Sequence, residues 1–363
     1  MDLTHSRFRP WIGVQPQVVA KTVKSAESFN SAKDCTTPTG LIMLERIDEA
    51  FGSLISVANK TSVLSSRTLD KMAGDNRCFL KCENFQRTGS FKFRGAYNAV
   101  RALNAEERRN GIVTHSSGNH AQALALAGSL FGVHTTVVMP TNSSPVKIDA
   151  TRSYGAEVIL CEPSEEARER SVKAIVESER RTLIHPFDNR NVIAGQGAVA
   201  LELLKEIGDL QSLFVPIGGG GLISGCAIAG KGTKKVEKII GVEPEQADDA
   251  FRSFYSDSGK IIKTTPRTIA DGLRTSLSNL TFGFIREFID EIVTVSEQEI
   301  ISAMKFLWER MKIVVEPSGA VSLAGLLKHP PSSHGNKVGI IISGGNIDLS
   351  DFFRIYITKV GAK

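Results

Sequence analysis

The run GIVTHSSGNHAQALALAGSLFGVHTTVVMP, Gly111–Pro140, decides the fold class. Its two ends, residues 111–116 and 134–140, are short stretches rich in β-branched residues and read as strands. Residues 119–132 between them read as a helix ending on glycine. A strand, a helix and a second strand in thirty residues is the unit from which parallel sheets are built. The pattern continues outward in both directions. CFLKCE (78–83) is a predicted strand and SFKFRGAYNAVRAL (90–103) a helix. SPVKIDATRSYG is a helix ending at Gly155, AEVILCE (156–162) a strand, and EEARERSVKAIVESER (165–180) a helix. SLFVPIG (212–218), KIIGVE (238–243) and VGIIISGG (338–345) are further strands, and Ser296 with Glu299 forms a capping box that opens a helix. Apolar strands alternating with amphipathic helices predict an α/β protein, its sheets mostly parallel and covered by helices on both faces. No internal repeat is present.

Composition narrows the function. The chain has 363 residues, 41% hydrophobic and 23% charged, which suits a soluble globular protein of about two domains. A formal charge of +5 without a basic run argues against nucleic acid. No apolar run approaches the roughly 18 residues of a membrane helix. Five cysteines, Cys35, Cys78, Cys82, Cys161 and Cys226, make an odd set without zinc-like pairing, so reduced thiols in the cytoplasm are expected. Cys78 and Cys82 read as buried apolar residues. Residues 1–40 lack periodicity and are expected to be unstructured; they are too acidic and too poor in arginine for a convincing organellar targeting peptide.

Four constellations carry chemistry. FVPIGGGGLISG, Phe214–Gly225, runs a strand into Gly218, Gly219, Gly220 and Gly221 and then into a helix, so that backbone N–H groups converge on an anion. It lacks the Gly-Lys-Ser/Thr ending of a P-loop, and no register supplies the three glycines of a dinucleotide fingerprint. A single phosphate monoester fits best. A tight structural turn is the plainer alternative, and Glu243 at about the Rossmann distance keeps a nicotinamide reading open. Ser116, Ser117, Gly118, Asn119 and His120 lie between a strand and a helix. They offer hydroxyl, amide and backbone donors to a carboxylate or ring oxygen, unless they are a plain N-cap cluster. IIISGGNIDL ends a buried strand in Ser343, so Ser343, Gly218 and Ser117 all lie at strand ends, where parallel-sheet folds bind ligands. Glu243, Asp248 and Asp249 could hold Mg²⁺ or Ca²⁺, or form a solvated acidic turn. Last is Lys92, between Phe91 and Phe93 after a Thr-Gly-Ser turn. Alone it would pass for a snorkelling surface lysine. Beside a phosphate cradle it suggests pyridoxal phosphate, with Lys92 forming the covalent link and Phe91 or Phe93 by the ring.

These residues resemble the fold-type II pyridoxal-phosphate enzymes, and within them the serine racemases and the serine/threonine and 3-hydroxyaspartate dehydratases. The resemblance spans about residues 42–350. KCENFQRTGSFKFRGA is similar to the segment carrying the cofactor lysine, which implies that role for Lys92, with Phe91 packed on the ring. SSGNH resembles the loop that takes the substrate carboxylate, with Asn119 near the ring oxygen. GGGG resembles the phosphate loop, with the amide of Leu222 as a further donor, and SGGN implies Ser343 against the pyridine nitrogen. EPEQADD resembles a divalent-cation site, implying Glu243, Asp249 and the Ala247 carbonyl as ligands to Mg²⁺, or to Ca²⁺ or Mn²⁺. CEPSEEARE implies Arg168 near the active site.

The implied architecture is a large domain, about 41–104 with 189–363, and an inserted small domain, about 111–188. The implied activity is serine racemisation with dehydration to pyruvate and ammonia. Lys92 would take the α-proton on one face and Ser117 would act on the other. L-threo-3-hydroxyaspartate or L-threonine ammonia-lyase is the alternative; a nicotinamide oxidoreductase and a non-catalytic binding protein are remoter ones. A homodimer acting on a small amino acid, with ATP as a possible effector, completes the expectation. Two departures stand out. The family's usual Thr-Pro-Val is Thr61-Ser62-Val63 here, which predicts a looser turn. The short stretch after SGGNIDL leaves no room for the regulatory domain of biosynthetic threonine dehydratases.

Overall fold

Ten strands among the described residues, 38–350 and 353 of the computed structural model, form two sheets. β1 (Val63–Leu64), β2 (Arg77–Cys82), β7 (Leu210–Pro216), β8 (Val236–Pro244), β9 (Glu291–Val295) and β10 (Lys337–Ile342) make one, in the order β1-β2-β10-β7-β8-β9. β3 (Ile112–His115), β4 (Thr135–Pro140), β5 (Glu157–Cys161) and β6 (Thr182–Leu183) make the other, in the order β5-β4-β3-β6. Every neighbouring pair is parallel except β1 with β2. The Gly111–Pro140 run is β3, helix Asn119–Phe131 and β4, with Ile112 opposite Thr135.

Coverage on both faces explains why the central strands are apolar throughout. Along β7, Leu213 and Val215 face one core with helices Arg190–Ile207 and Gly221–Gly232, while Phe214 faces a second core with helix Pro317–Lys328. β10 divides likewise, Ile341 to the first core and Ile340 and Ile342 to the second. The α/β class with mostly parallel sheets is what the alternation implied, and the Ser296–Glu299 capping box is present. Among the described residues no helix is long and apolar enough to cross a membrane.

Some boundaries differ. Helix Pro38–Leu54 starts inside the stretch expected to be unstructured, while residues 1–37, with Cys35, lie outside the described residues. The helix expected over 90–103 is Lys92–Arg101, because Ser90 is extended and bridges to Gly344 instead. β10 stops at Ile342, which releases Ser343–Gly345 from the ladder. The Thr61–Val63 segment is not loose. The Thr61 hydroxyl donates to Glu83 (2.6 Å), its N–H donates to Glu202 (3.0 Å), and its carbonyl accepts from Lys81 Nζ (2.8 Å). Three polar anchors hold the backbone there without a proline. Cys78 and Cys82 are free and buried, and burial pushes each thiol up to about 12, so both behave as small apolar residues.

Candidate active site

Strand order reverses once in each sheet. β7 neighbours β10 although β8 follows it in sequence, and β3 neighbours β6 on the side away from β4. At such a point successive loops leave in opposite directions and open a crevice beyond the strand ends. The loops that leave these four strands are Ile217–Gly220, Ser343–Gly345, Ser116–Gly118 and Ile184–Asn189. They converge on a cavity of about 610 Å³.

Phe91, Lys92, Ser116, Ser117, Asn119, His120, Arg168, Gly218, Gly219, Gly220, Gly221, Leu222 and Ser343 all line this cavity, so the geometry brings together every residue expected to touch cofactor or substrate. Lys92 is the first residue of its helix. Its Nζ donates to the Pro186 carbonyl (3.0 Å) and lies 5.2 Å from the centre of the Phe91 ring. Burial pulls the amine down to about 8, against a smaller opposing pull from the Glu316 carboxylate. Phe93 is not a second ring beside it. Two residues on is roughly 200° around a helix, and Phe93 is fully buried among Ala96, Val100 and Leu124, with the Arg87 guanidinium over its ring.

The glycine loop is a cradle in geometry as well as sequence. Gly220 has φ 85° and caps helix Gly221–Gly232 without a side chain. The first N–H groups of such a helix have no intrahelical acceptor, and its first residues, Gly221 and Leu222, line the cavity. A Cβ on Gly219 would overlap the Phe187 ring, so that residue must be glycine for packing as well. These donors fit a phosphate monoester.

On the other wall, Asn119 donates to Glu316 Oε1 (2.7 Å) and accepts from Asn346 Nδ2 (2.8 Å). The Gly118 N–H donates to the Ser116 hydroxyl (3.3 Å). His120 is buried, and its Nε2 lies 3.2 Å from the Ile184 carbonyl, which can only accept, so Nε2 carries the proton. Burial and the Lys92 charge hold that imidazole neutral, and its Nδ1 has no hydrogen-bond partner. Arg168 lies in the first turn of helix Glu165–Glu179 and donates to the Ser164 carbonyl (3.4 Å). The Ser343 hydroxyl donates to the Ser318 carbonyl (3.3 Å).

Several wall residues escaped the sequence reading. His115 ends β3, His185 lies two residues beyond the neighbouring strand β6, and their rings meet edge to face at 5.5 Å. His185 Nδ1 accepts the Asp188 N–H (2.9 Å), and burial lowers this imidazole to about 4. Lys147 donates to Asp271 at 2.5 Å; burial opposes its charge, but the Asp271 carboxylate outweighs burial and keeps the ammonium above its usual range. Burial, and then Asp271, push the Glu316 carboxyl up. Only the pairing of β3 with β6 could have grouped His115 with His185. The glutamate of the Glu316-Pro317 pair at a helix start was the one visible sign of the other cluster.

The expected metal ligands lie elsewhere. Glu243 is on β8 and accepts N–H bonds from Ala250 (3.2 Å) and Phe251 (2.7 Å); Asp249 opens helix Asp249–Phe254 and accepts from Leu277 (3.0 Å). Both are buried and neighbours. Burial, and then Asp249, raise Glu243, and burial lifts Asp249 to about 6. Asp248 instead faces Arg252 at 2.8 Å, and Ala247 is buried. Among the described residues no three His, Cys, Asp or Glu side chains form a metal-binding group. A cation here would take two carboxylates and backbone oxygen. Two buried carboxyls that each resist ionisation fit that role.

The family described as pyridoxal-phosphate dependent enzyme matches residues 55–344. Serine racemase of Dictyostelium discoideum is 46% identical over 323 residues, covering 88% of this chain and 99% of that protein. L-threo-3-hydroxyaspartate ammonia-lyase of Saccharomyces cerevisiae is 47% identical over 317 residues, covering 87% and 95%. The crystal structure of the Dictyostelium serine racemase superposes with a TM-score of 0.80, covering 84% of this chain and 98% of that one.

Proposed function

The chain belongs to the pyridoxal-phosphate dependent enzymes, and we propose that it is a serine racemase that also dehydrates serine to pyruvate and ammonia. Membership displaces the nicotinamide and empty-scaffold alternatives. The observation that supports the racemase reading is that Lys92, at the start of helix Lys92–Arg101, and Ser117, in the loop after β3, line one cavity. Inversion needs a proton acceptor on one face of the α-carbon and a donor on the other; elimination needs only the first. The racemases among the relatives point the same way.

Bound pyridoxal phosphate supplies an electron sink for the electrons of the broken Cα–H bond. In this reading Gly218–Leu222 would hold its phosphate, Phe91 would pack on its ring and Ser343 would offer a hydroxyl to its pyridine nitrogen. Lys92 takes the α-proton, and Ser117 returns one from the opposite side. Ser116, Asn119 and the N–H groups around His120 bind the substrate carboxylate, with Arg168 adding positive charge. Dehydration follows when the β-hydroxyl leaves before a proton returns. A large domain (about 41–104 with 189–363) closing on a small one (about 111–188) would exclude water. Mg²⁺ at Glu243, Asp249 and the Ala247 carbonyl would fix Leu277, whose side chain abuts Gly220. Homodimer formation and an effect of ATP on the rates belong to the same reading.

The second reading is L-threo-3-hydroxyaspartate ammonia-lyase, favoured by the yeast relative. Chiral chromatography of serine beside a pyruvate assay decides. Ser117→Ala should remove most racemisation and leave L-serine dehydration largely intact. Wild-type protein that forms pyruvate or oxaloacetate but no D-serine would overturn the racemase reading.

A further inference from the structure

Helix Arg190–Ile207 touches the supports of both halves of the proposed cofactor site. On one side it meets helix Lys92–Arg101 backbone to backbone: a Cβ on Gly195 would stand 2.5 Å from the Arg94 carbonyl and 2.6 Å from the Gly95 Cα. On the other side it meets helix Gly221–Gly232: a Cβ on Gly225 would stand 2.5 Å from the Gly197 nitrogen, and one on Gly197 would stand 2.9 Å from the Gly225 carbonyl. The Gln196 amide, which accepts the Gly95 N–H (3.2 Å), and the Ile47 side chain pack beside these contacts, while Gly195 and Gly225 themselves approach backbone with no side chain in between.

Charge fastens the same helix to the Lys92 turn. Arg94 donates to both oxygens of Glu83 (2.8 Å each) and to both of Glu202 (3.1 and 3.0 Å). Lys81 Nζ adds a bond to Glu202 (2.5 Å). Arg94, Glu83 and Lys81 are buried, and Glu202 nearly so. Two cations and two carboxylates close a neutral set, and none of the four lines the cavity. Glu202 belongs to the helix that carries Gly195 and Gly197, and Arg94 is two residues from Lys92.

We propose that helix Arg190–Ile207 is a spacer that fixes the separation between the Lys92 amine and the Gly218–Leu222 loop, with Arg94 and Glu202 as its positioning residues. The proposal rests on the reading of Lys92 and the glycine loop as the two ends of the cofactor site. A rigid ring bearing an aldehyde and a phosphate must fit both ends at once. Its affinity then exceeds that of either half by an effective concentration that only a matched spacing supplies.

The test compares pyridoxal 5′-phosphate with phosphate-free pyridoxal, each titrated into the full-length protein after removal of its cofactor. In wild type, Glu202→Gln and Gly195→Ala, the readout is the ratio of the two dissociation constants. Glu202→Gln removes one charge; Gly195→Ala removes none and pushes helix Arg190–Ile207 off the Arg94–Gly95 backbone, so it carries the test alone if Glu202→Gln does not fold. The expected result is a fall of about tenfold or more in the ratio, with pyridoxal itself bound within about twofold of wild type. A merely structural role would weaken both ligands in parallel, and that outcome, or an unchanged ratio, overturns the spacer. Borohydride trapping of wild-type adducts on another lysine overturns the Lys92 reading and the spacer with it; trapping on Lys92 with an unchanged ratio overturns the spacer alone.

Discussion

Lys92 should titrate far below an ordinary lysine. Burial lowers its amine from 10.5 to about 8, with Glu316 pulling the other way. At pH 7.5 an amine titrating near 8 is about 24% free base, against about 0.1% at 10.5, a gain of about two hundredfold in the form that can attack a carbonyl or accept a proton. The perturbation is Glu316→Gln, which deletes the carboxylate that favours the ammonium and should move the midpoint lower still. The assay is limiting acylation of the cofactor-stripped protein across pH 6–11, with each lysine followed by mass spectrometry and exposed lysines as internal references. The same shift has a thermodynamic signature. Between about 8 and 10.5 the unfolded chain binds a proton at residue 92 that the folded protein does not, so stability relative to Lys92→Met should rise with pH across that window. A Lys92 midpoint near 10, or an upward move in Glu316→Gln, would refute the reasoning.

Three further outcomes are expected. With burial lifting Asp249 to about 6 and Glu243 raised as well, metal-free protein should lose stability as pH rises from about 4 through 6, and the gain in melting temperature from added Mg²⁺ should grow over the same range; a chelator that changes neither melting temperature nor rate would make this a solvated turn. Gly220→Ala should cost about 1–2 kcal/mol for a left-handed Cβ, plus about 1–3 kcal/mol for overlap with Thr281, and should weaken cofactor binding in equilibrium titration. Arg94→Met should lower stability by about 3–5 kcal/mol, because Glu83 stays buried without its partner, whereas Lys60→Ala, which breaks the exposed pair with Glu206, should stay within about 0.5 kcal/mol in the same urea melts.

The legible part of this site was the part built from backbone. Glycines before a helix, a serine at a strand end and a lysine at a helix start are local patterns, and Gly218–Leu222, Ser343, Ser117 and Lys92 all reach the cavity. What stayed hidden depends on distant pairings. Glu202 approaches Lys81 from 121 residues away, and nothing near either residue announces the partner. Thr61 shows the same limit. A missing proline predicted a loose turn, yet Glu83, Lys81 and Glu202 hold that residue from two other segments. Adjacency in sequence leaves Phe91 and Phe93 as alternatives beside Lys92, and the structure separates them: helical rotation sends the Phe93 ring into the core while Phe91 lines the cavity.

The charges around Lys92 explain how an amine can sit where, in the proposed reading, two anions would also bind. His115, His120 and His185 all titrate below their usual range, chiefly because they are buried, so they add little positive charge near neutrality. Lys147 is cancelled by Asp271, and burial resists ionisation of Glu316. Arg168 and Arg274 on the wall are matched in number by Glu165 and Glu169, so the lining is close to neutral, and the Asn119 amide and serine hydroxyls add dipoles to it. Dipoles fixed by backbone hold a phosphate or a carboxylate without adding the fixed anions that would return Lys92 to its ammonium form. A cavity rich in carboxylates would have bound Lys92 as a salt bridge, and one rich in cations would have drawn the substrate carboxylate away from the loops that orient it. In the proposed mechanism, near-neutrality would let the same amine be a nucleophile toward an aldehyde and a base toward Cα–H.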